Sequence, residues 1–269
     1  MITGALGLVG SRVWPQLAER YDLVGLDKQA PSDAGHASID AVDLADYEQV
    51  YRAMRDAKAV VHLAIASERA LKHLDDHAYT AEEIRVNVLG TRNVFEAAAV
   101  AGVKRVVYMS SLTVYFNNPM PERVEINTPL QPRNHYAITK LYGEQLAWWY
   151  AANEKLTSVC WRLGQPFPVD HFGPAQLAEP ASRACAVATD DIAWGIIAGL
   201  ESRLPADGRG GLHTGFKDMP GHAVANLVSA SDAGPDHGFE LTAAEALGFV
   251  PRVCFTADGP VPHSTDAGQ

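Results

Sequence analysis

The stretch MITGALGLVG, residues 1–10, decides the fold of this chain. Its three glycines are spaced three residues apart, and a helical pattern follows them. Glycines let a backbone approach a pyrophosphate closely, and the N-terminus of the next helix supplies free N–H donors. The spacing departs from the commoner Gly-x-Gly-x-x-Gly, and a tight turn without a ligand is the alternative. We predict a dinucleotide-binding loop with contacts from Gly4, Gly7, Leu8, Val9 and Gly10.

The strand that should aim this loop is short in the sequence. Only Met1, Ile2 and Thr3 precede the first glycine. In a dinucleotide-binding sheet the first strand is central, and strands average about 5–6 residues. We therefore expect a stub for strand one, with weakened cofactor binding and stability, or a natural start several residues upstream of Met1.

The composition of the chain limits which kinds of partner are expected. The chain has 269 residues, is 47% hydrophobic and carries a net charge of −10, which disfavours nucleic acid as a partner. The sequence contains no run of about 18 apolar residues, so it predicts no membrane span. The three cysteines are far apart and predict neither disulfides nor a metal site. With no signal peptide before the glycine loop, we expect a cytoplasmic protein without nucleic-acid, membrane or metal partners.

Short apolar runs alternate with helical patterns along the chain. Nearly continuous apolar strands are covered on both faces, which indicates a parallel sheet with right-handed crossovers. The predicted fold is a doubly wound α/β Rossmann sheet with a small C-terminal substrate lobe. The predicted strands are residues 22–27, 59–64, 105–110, 158–163 and a short one near 211–214. The predicted helices are 46–55, 80–101 (opened by a Thr80–Glu83 capping box), 136–153, 189–200 (capped by 189–191) and 241–248.

The composition and patterning of the chain suggest three regions. Residues 1–164 are the expected cofactor-binding domain. Residues 165–255 are the expected small substrate lobe, interleaved with the last elements of the sheet, and residues 256–269 a loose tail.

An acid follows the glycine loop at the expected distance. Asp27 ends the second predicted strand, 17 residues after Gly10. A carboxylate there accepts hydrogen bonds from the adenosine ribose and repels a 2′-phosphate, so NAD is favoured over NADP. The alternative is a solvated turn residue beside Lys28.

A serine, a tyrosine and a lysine follow in order. Ser111 ends a strand, where ligands bind in open α/β sheets. Tyr136 and Lys140 are four residues apart and share one helix face. A phenol has a pKa of about 10, and lowering it by about 3 requires roughly 4 kcal/mol. A nearby ammonium together with an oxidised nicotinamide ring could supply that difference.

These motifs together resemble the extended short-chain dehydrogenase/reductase family, also called the NAD-dependent epimerase/dehydratases. The resemblance covers nearly the whole chain. It is carried by residues 3–10, Asp43-Leu44, His62-Leu63-Ala64, 87–94, 110–115, 136–140, 162–164 and 247–251.

The resemblance implies roles for individual residues. Tyr136 would be the acid/base, and Lys140 would lower its pKa and hold the nicotinamide ribose. Ser111 would hydrogen-bond the reacting oxygen, with Thr113 assisting. The implied cofactor contacts, besides the loop and Asp27, are Asp43, Leu44, Leu63, Ala64, Asn87 and Lys140.

Departures from the family narrow the expected substrate. Phe116 follows Tyr115 where the family usually has glycine, and the family's Tyr-Gly-Pro is replaced from Gln165 onward. With its short lobe, the chain looks most like the uronate dehydrogenase branch, which oxidises free hexuronic acids at C1. Gln165 and Thr113 are then expected substrate contacts, and Arg183 the partner of a substrate carboxylate.

The leading hypothesis is thus an NAD-dependent oxidoreductase acting on a sugar or sugar acid. One alternative is a nucleotide-sugar 4-epimerase or dehydratase that holds its NAD tightly. Another is a non-catalytic dinucleotide-binding regulator. The family often dimerises through the helix of the catalytic tyrosine, so a homodimer through the Tyr136 helix is expected.

Overall fold

A parallel seven-stranded sheet forms the centre of the molecule. The computed structural model describes residues 1–29, 38–67, 71–116, 123–167, 173–204, 221–234 and 238–263. The sheet has the order β10-β7-β5-β4-β1-β2-β3, and every adjacent pair is parallel. Its strands are β1 (Ile2–Thr3), β2 (Gly25–Asp27), β3 (Ile39–Ala41), β4 (Ala59–His62), β5 (Arg105–Ser111), β7 (Thr157–Leu163) and β10 (His222–Leu227).

The predicted doubly wound α/β fold is confirmed. The strand order reverses between β1 and β4, which is where such sheets bind ligands. Strands β5, β7 and β10 are buried almost throughout, because helices cover both faces. The helices are α1 (Leu8–Ala18), α2 (Tyr47–Met54), α3 (Asp76–Glu83), α4 (Thr91–Val100), α5 (His135–Glu154), α6 (Pro180–Cys185), α7 (Thr189–Glu201) and α8 (Thr242–Ala246).

The first strand is the expected stub. β1 has two residues, both buried, yet it pairs with β2 on one side and β4 on the other. The backbone continues the ladder past its ends, because Gly4 N donates to Leu26 O and Leu63 N donates to Thr3 O. The paired strand thus places the glycine loop at the carboxyl edge of the sheet.

Several element boundaries differ from the prediction. Asp75 caps α3 by accepting from Ala78 N, so Thr80 lies inside the helix rather than at its start. A π-helical segment, Ile84–Gly90, joins α3 to α4. Helix α7 begins at Thr189 with Ala188 in the cap position and no side-chain cap.

The described C-terminal residues contain strands that were not predicted. The expected strand at 211–214 lies outside the described residues, whereas β10 was not predicted. The supposed loose tail contains β14 (Gly259–Pro262), which pairs antiparallel with β13 (Val253–Thr256). The described part also contains five short strands: β6 (Arg123–Val124), β8 (Gln165–Phe167), β9 (Ala186–Ala188), β11 (Ala230–Ser231) and β12 (Gly238–Phe239).

Candidate active site

The glycine loop packs too closely for side chains at two of its glycines. Gly4 has φ +71°, and a Cβ there would lie 2.8 Å from the backbone N of Ala64. A Cβ on Gly10 would lie 2.2 Å from the carbonyl oxygen of Gly4. Gly7 occupies the N-cap of α1. The loop thus lies against the segment after β4 and opens a helix N-terminus, the arrangement that binds a pyrophosphate.

Gly4→Ala should weaken the loop far more than an ordinary glycine replacement. We expect a loss of about 2 kcal/mol of stability from the positive φ and the clash, and at least about tenfold weaker NAD binding. Gly102→Ala is the matched control, because Gly102 has φ +73° but nothing within 4 Å of its added Cβ. Calorimetric NAD titration of both variants measures the difference; equal affinities would contradict the assigned loop.

Asp27 lies beside the loop, as predicted. Its Oδ2 accepts from the backbone N–H of Leu6 at 2.9 Å, and its Oδ1 accepts from that of Lys28 at 2.8 Å. The carboxylate remains partly exposed at the end of β2. The solvated-turn alternative accounts for the Lys28 contact, but not for the bond to the glycine loop.

Asp43, the second acid predicted to contact the cofactor, is already engaged by an arginine. Asp43 accepts two hydrogen bonds at 2.8 Å from Arg85 Nη1. Glu82 binds the same guanidinium and also Lys28, and these bonds lower the pKa of Glu82 to about 2, with Arg85 the larger cause. Sequence reasoning missed Arg85 and Glu82, whose only local signal is their three-residue spacing.

Asn87 connects the cofactor side of the site to the catalytic helix. It is buried in the π-helical segment, a feature frequent at functional sites. Its Oδ1 accepts from Ala66 N at 2.7 Å, and its Nδ2 donates to Thr139 Oγ1 at 3.2 Å. The other predicted cofactor residues lie in the same part of the molecule: Leu44 beside Gly90, and Leu63 and Ala64 directly after β4.

His62 has a structural role here. Its Nδ1 is 2.6 Å from Thr3 Oγ1 and its Nε2 is 3.0 Å from Thr91 Oγ1. Burial lowers the pKa of His62 to about 3, so the ring is neutral and joins β1 and β4 to α4.

Ser111 and Tyr136 meet at the carboxyl end of β5. The Ser111 side chain lies next to Tyr136, and Thr113 donates to Ser111 Oγ from both its hydroxyl (3.0 Å) and its backbone N–H (3.3 Å). Burial raises the pKa of Tyr136 to about 12, while the neighbouring Ser111 hydroxyl acts to lower it. Asn134 caps α5, the helix that carries Tyr136, by accepting from Ala137 N.

Lys140 is buried one turn after Tyr136. Its Nζ donates to Met109 O at 2.7 Å and lies 5.6 Å from the centre of the Tyr136 ring. Burial lowers the pKa of Lys140 to about 7, and the carboxylate of Glu144 acts in the opposite direction. The predicted serine, tyrosine and lysine are therefore brought together.

A cavity of about 320 Å³ opens beside this group. Two of the three predicted substrate contacts, Thr113 and Gln165, line it together with Ser111. Burial raises the pKa of Cys185 to about 11, so that lining thiol is not an activated nucleophile. The remaining lining residues, which sequence reasoning did not select, are Leu112, Phe116, Leu163, Gly164, Ala181 and Ser182.

Arg183, the third predicted substrate contact, is directed elsewhere. Its Nε pairs with Asp232 Oδ1 at 2.6 Å, and its Nη1 donates to the carbonyls of Leu177 and Ala178. The residues of α6 that line the cavity are 181, 182 and 185, and position 183 lies on the opposite helix face. The structure therefore does not bring Arg183 into the cavity.

The comparisons with known proteins agree with this geometry. Residues 1–195 match the NAD dependent epimerase/dehydratase family. The chain belongs to that family. Its recognition from the sequence motifs is thereby confirmed.

Individual relatives are sugar-acting enzymes. The chain is 30% identical to a uronate dehydrogenase of Pseudomonas putida over 171 residues, 62% of this chain and 61% of that protein. It spans about three fifths of the length of the uronate dehydrogenases it matches first. It is also 27% identical to an L-arabinose 1-dehydrogenase (NAD(P)(+)) of Haloferax volcanii, covering 93% of this chain and 95% of that one.

A solved structure supports the fold. The uronate dehydrogenase of Agrobacterium tumefaciens superposes with a TM-score of 0.74 at 22% identity, covering 99% of this chain and 91% of that one. Among the helices described here, none has the length and apolar character needed to span a membrane. Within the same residues, no group of three or more histidine, cysteine or acidic side chains could hold a metal ion.

Proposed function

We propose that this chain is an NAD-dependent oxidoreductase that oxidises a free sugar or sugar acid by hydride transfer. The observation that carries the proposal is the convergence of Ser111, Tyr136 and Lys140 at the edge of the sheet onto which the glycine loop opens. The uronate and arabinose dehydrogenases among the relatives support the sugar as substrate.

The residues present fit NAD. Gly4 and Gly10 form a cradle that a Cβ would fill, and Asp27 presents a carboxylate beside it, where a 2′-phosphate would be repelled. Lys140 would hold the nicotinamide ribose. Asn87 and Ala64 would line the part of the cofactor site between Lys140 and the glycine loop. NAD, when bound, supplies the hydride acceptor.

The side chains of the site can accept the proton that the substrate hydroxyl loses when hydride is transferred. Tyr136 in its phenolate form would accept the proton of the substrate hydroxyl while the hydrogen on the same carbon leaves as hydride for the nicotinamide ring, so the tyrosine ends as a neutral phenol. The ammonium form of the buried Lys140 would stabilise the phenolate before that transfer, and Ser111 would donate to the reacting oxygen. Thr113 already donates to Ser111 Oγ, which leaves the serine proton free for that donation.

The cavity favours a small substrate. Its volume of about 320 Å³ lies at the lower end of the range of about 300–1,000 Å³ for ligand pockets. Among the described lining residues the polar side chains are uncharged, which suits sugar hydroxyls. We propose Thr113 and Gln165 as substrate contacts, and residues 165–255 as the segment that shapes the substrate lobe.

A panel of aldoses, uronic acids and nucleotide sugars, each with added NAD, tests this function. A dehydrogenase accumulates NADH in proportion to the sugar consumed. A 4-epimerase or dehydratase with tightly held NAD gives product without net NADH. NAD binding without turnover on any sugar would instead support the regulator alternative and contradict our proposal.

We also propose a homodimer through α5 and a cytoplasmic location. Ile138 and Trp149 are exposed and eleven positions apart, so they lie within about 20° of each other on one face of α5. The three cysteines are all free, which suits a reducing compartment.

Trp149→Glu should convert that dimer to a monomer, because it buries a charge at the interface. Sedimentation equilibrium measures the change. Val24→Glu, at a comparably exposed apolar residue away from α5, is the control and should stay dimeric. A monomeric wild-type chain, or a dimeric Trp149→Glu variant, would contradict the interface.

A further inference from the structure

A row of buried polar side chains crosses the sheet directly behind the candidate active site. Ser110 on β5, Arg162 on β7 and Asn226 on β10 are register neighbours on adjacent strands. All three are almost completely buried. Polar groups in such a place require partners, and each of these has them.

Arg162 binds two elements at once. Its Nε and Nη2 donate to the two carboxylate oxygens of Glu144 at 2.9 and 2.8 Å. Its Nη1 donates to the hydroxyl of Tyr115 at 2.6 Å, and that hydroxyl donates to Asn226. Glu144 lies on α5, one turn after Lys140, and Tyr115 ends the 3₁₀ turn Leu112–Tyr115 that follows Ser111.

The strand and the helix are also joined at successive positions. Tyr136, Lys140 and Glu144 recur every four residues on the face of α5 that meets β5. Each of the last three residues of β5 meets one of them. The Met109 carbonyl accepts from Lys140, Ser110 Oγ donates to Glu144 Oε1 at 2.6 Å, and the Ser111 side chain lies next to Tyr136.

We propose that Arg162, with Glu144, Ser110 and Tyr115, is a positioning device for the proposed oxidation. It ties the helix that carries Tyr136 and Lys140 to the end of β5, which carries Ser111, and to the following turn, which carries Thr113. The inference rests on the proposed function, because it concerns the alignment of groups that act together on one substrate oxygen.

Stability alone is a poor account of this pair. A buried ion pair gains little over well-packed apolar residues, because both charges lose their hydration. The planar fork of arginine, in contrast, fixes the direction and distance of its partners. Displacement of a reacting group by about 1 Å can cost about 100-fold in rate, so such a clamp has a catalytic consequence.

Ser110→Ala and Tyr115→Phe test the device with minimal change, since each removes one hydroxyl. We expect about tenfold lower kcat in each, with KM and the Kd for NAD within about twofold of wild type. The double variant Glu144→Leu/Arg162→Met replaces the pair by apolar residues, should fold and bind NAD, and should lose about 100-fold in kcat.

Ser158→Ala is the matched control. Ser158 is an equally buried serine at the other end of the same sheet, where its hydroxyl contacts His222 Nδ1 at 2.7 Å and Ala147 O on α5. It should lower Tm about as much as Ser110→Ala while leaving kcat unchanged. If kcat per NAD-binding site is the same in Ser110→Ala, Tyr115→Phe and Ser158→Ala, the role is structural only and the inference fails.

A readout that needs no turnover separates this inference from the proposed function. The ionisation of Tyr136 in the NAD complex is isolated as the ultraviolet difference between each protein and the same protein with Tyr136→Phe. Looser positioning in Ser110→Ala and Tyr115→Phe should raise the Tyr136 pKa by about 1 pH unit, and Ser158→Ala should not. If Tyr136 titrates at the same pH in Ser110→Ala, Tyr115→Phe and Ser158→Ala, the inference is overturned. Absence of turnover by wild type on every sugar, with the predicted titration difference, overturns only the proposed function.

Discussion

Tyr136→Phe is expected to lower kcat by about 10²–10⁴-fold, the usual contribution of a general acid or base, while the Kd for NAD changes less than about twofold. The substitution removes one hydroxyl, next to the Ser111 side chain, and keeps the ring whose centre lies 5.6 Å from Lys140 Nζ. Steady-state kinetics on a sugar that wild type oxidises, with calorimetric NAD titration, measures both quantities.

Tyr142→Phe on the same helix is the control for that experiment, because Tyr142 lies outside the Ser111–Tyr136–Lys140 group. It should retain wild-type kcat. A Tyr136→Phe variant whose kcat stays within about threefold of wild type would remove the assigned acid/base from the mechanism.

Lys140→Met should lower kcat strongly and yet stabilise the fold. Burial lowers the pKa of Lys140 from 10.5 to about 7, so the folded state disfavours the charged amine. That lowering of the pKa corresponds to a penalty of roughly 5 kcal/mol, which the loss of the hydrogen bond to Met109 O partly offsets in the variant. Methionine is unbranched and apolar and can occupy the same space. We expect an increase in Tm of about 4 °C, with kcat reduced at least about 100-fold.

The sign of the pH dependence checks the cause of that stabilisation. Between pH 7 and 10.5 the unfolded chain binds the Lys140 proton and the folded chain does not. The penalty is therefore complete below about pH 7 and fades as pH rises towards 10.5. The Tm difference between Lys140→Met and wild type should shrink accordingly in calorimetric scans. A constant difference, or a less stable variant at pH 7, would contradict the burial of a titrating lysine.

The sequence predicted those residues of the site that stand at the ends of parallel strands or share one face of a helix. Parallel strands place their carboxyl ends at one edge, so Asp27 and Ser111 had to lie near the glycine loop. Spacing by four placed Tyr136 and Lys140 together on α5. These relations are local, and a single sequence contains them.

Non-local pairing accounts for most errors. Arg183 looked like a free cation, but its partner Asp232 is 49 residues away in the chain. Thr80 looked like a helix cap until Asp75, a stronger acceptor five residues earlier, took that role. β10 follows a segment rich in glycine, and only its pairing with β7 makes it a strand.

The row of buried polar residues formed by Ser110, Arg162 and Asn226 could not be predicted, because its contacts are also non-local. Arg162 and Glu144 are 18 residues apart, and nothing in their spacing shows that a strand and a helix bring them into contact. The short first strand, in contrast, was apparent at once, and its two neighbours explain how two residues can hold a central position.

The most direct test of the central claim follows the hydride itself. Wild-type protein is given NAD and a sugar that carries deuterium at the oxidised carbon, and the nicotinamide product is examined by mass spectrometry. Hydride transfer predicts one deuterium in each NADH formed, and Tyr136→Phe should form such NADH about 10²–10⁴-fold more slowly. Oxidised sugar with unlabelled NADH, or an epimerised sugar with no NADH, would contradict the proposed oxidation.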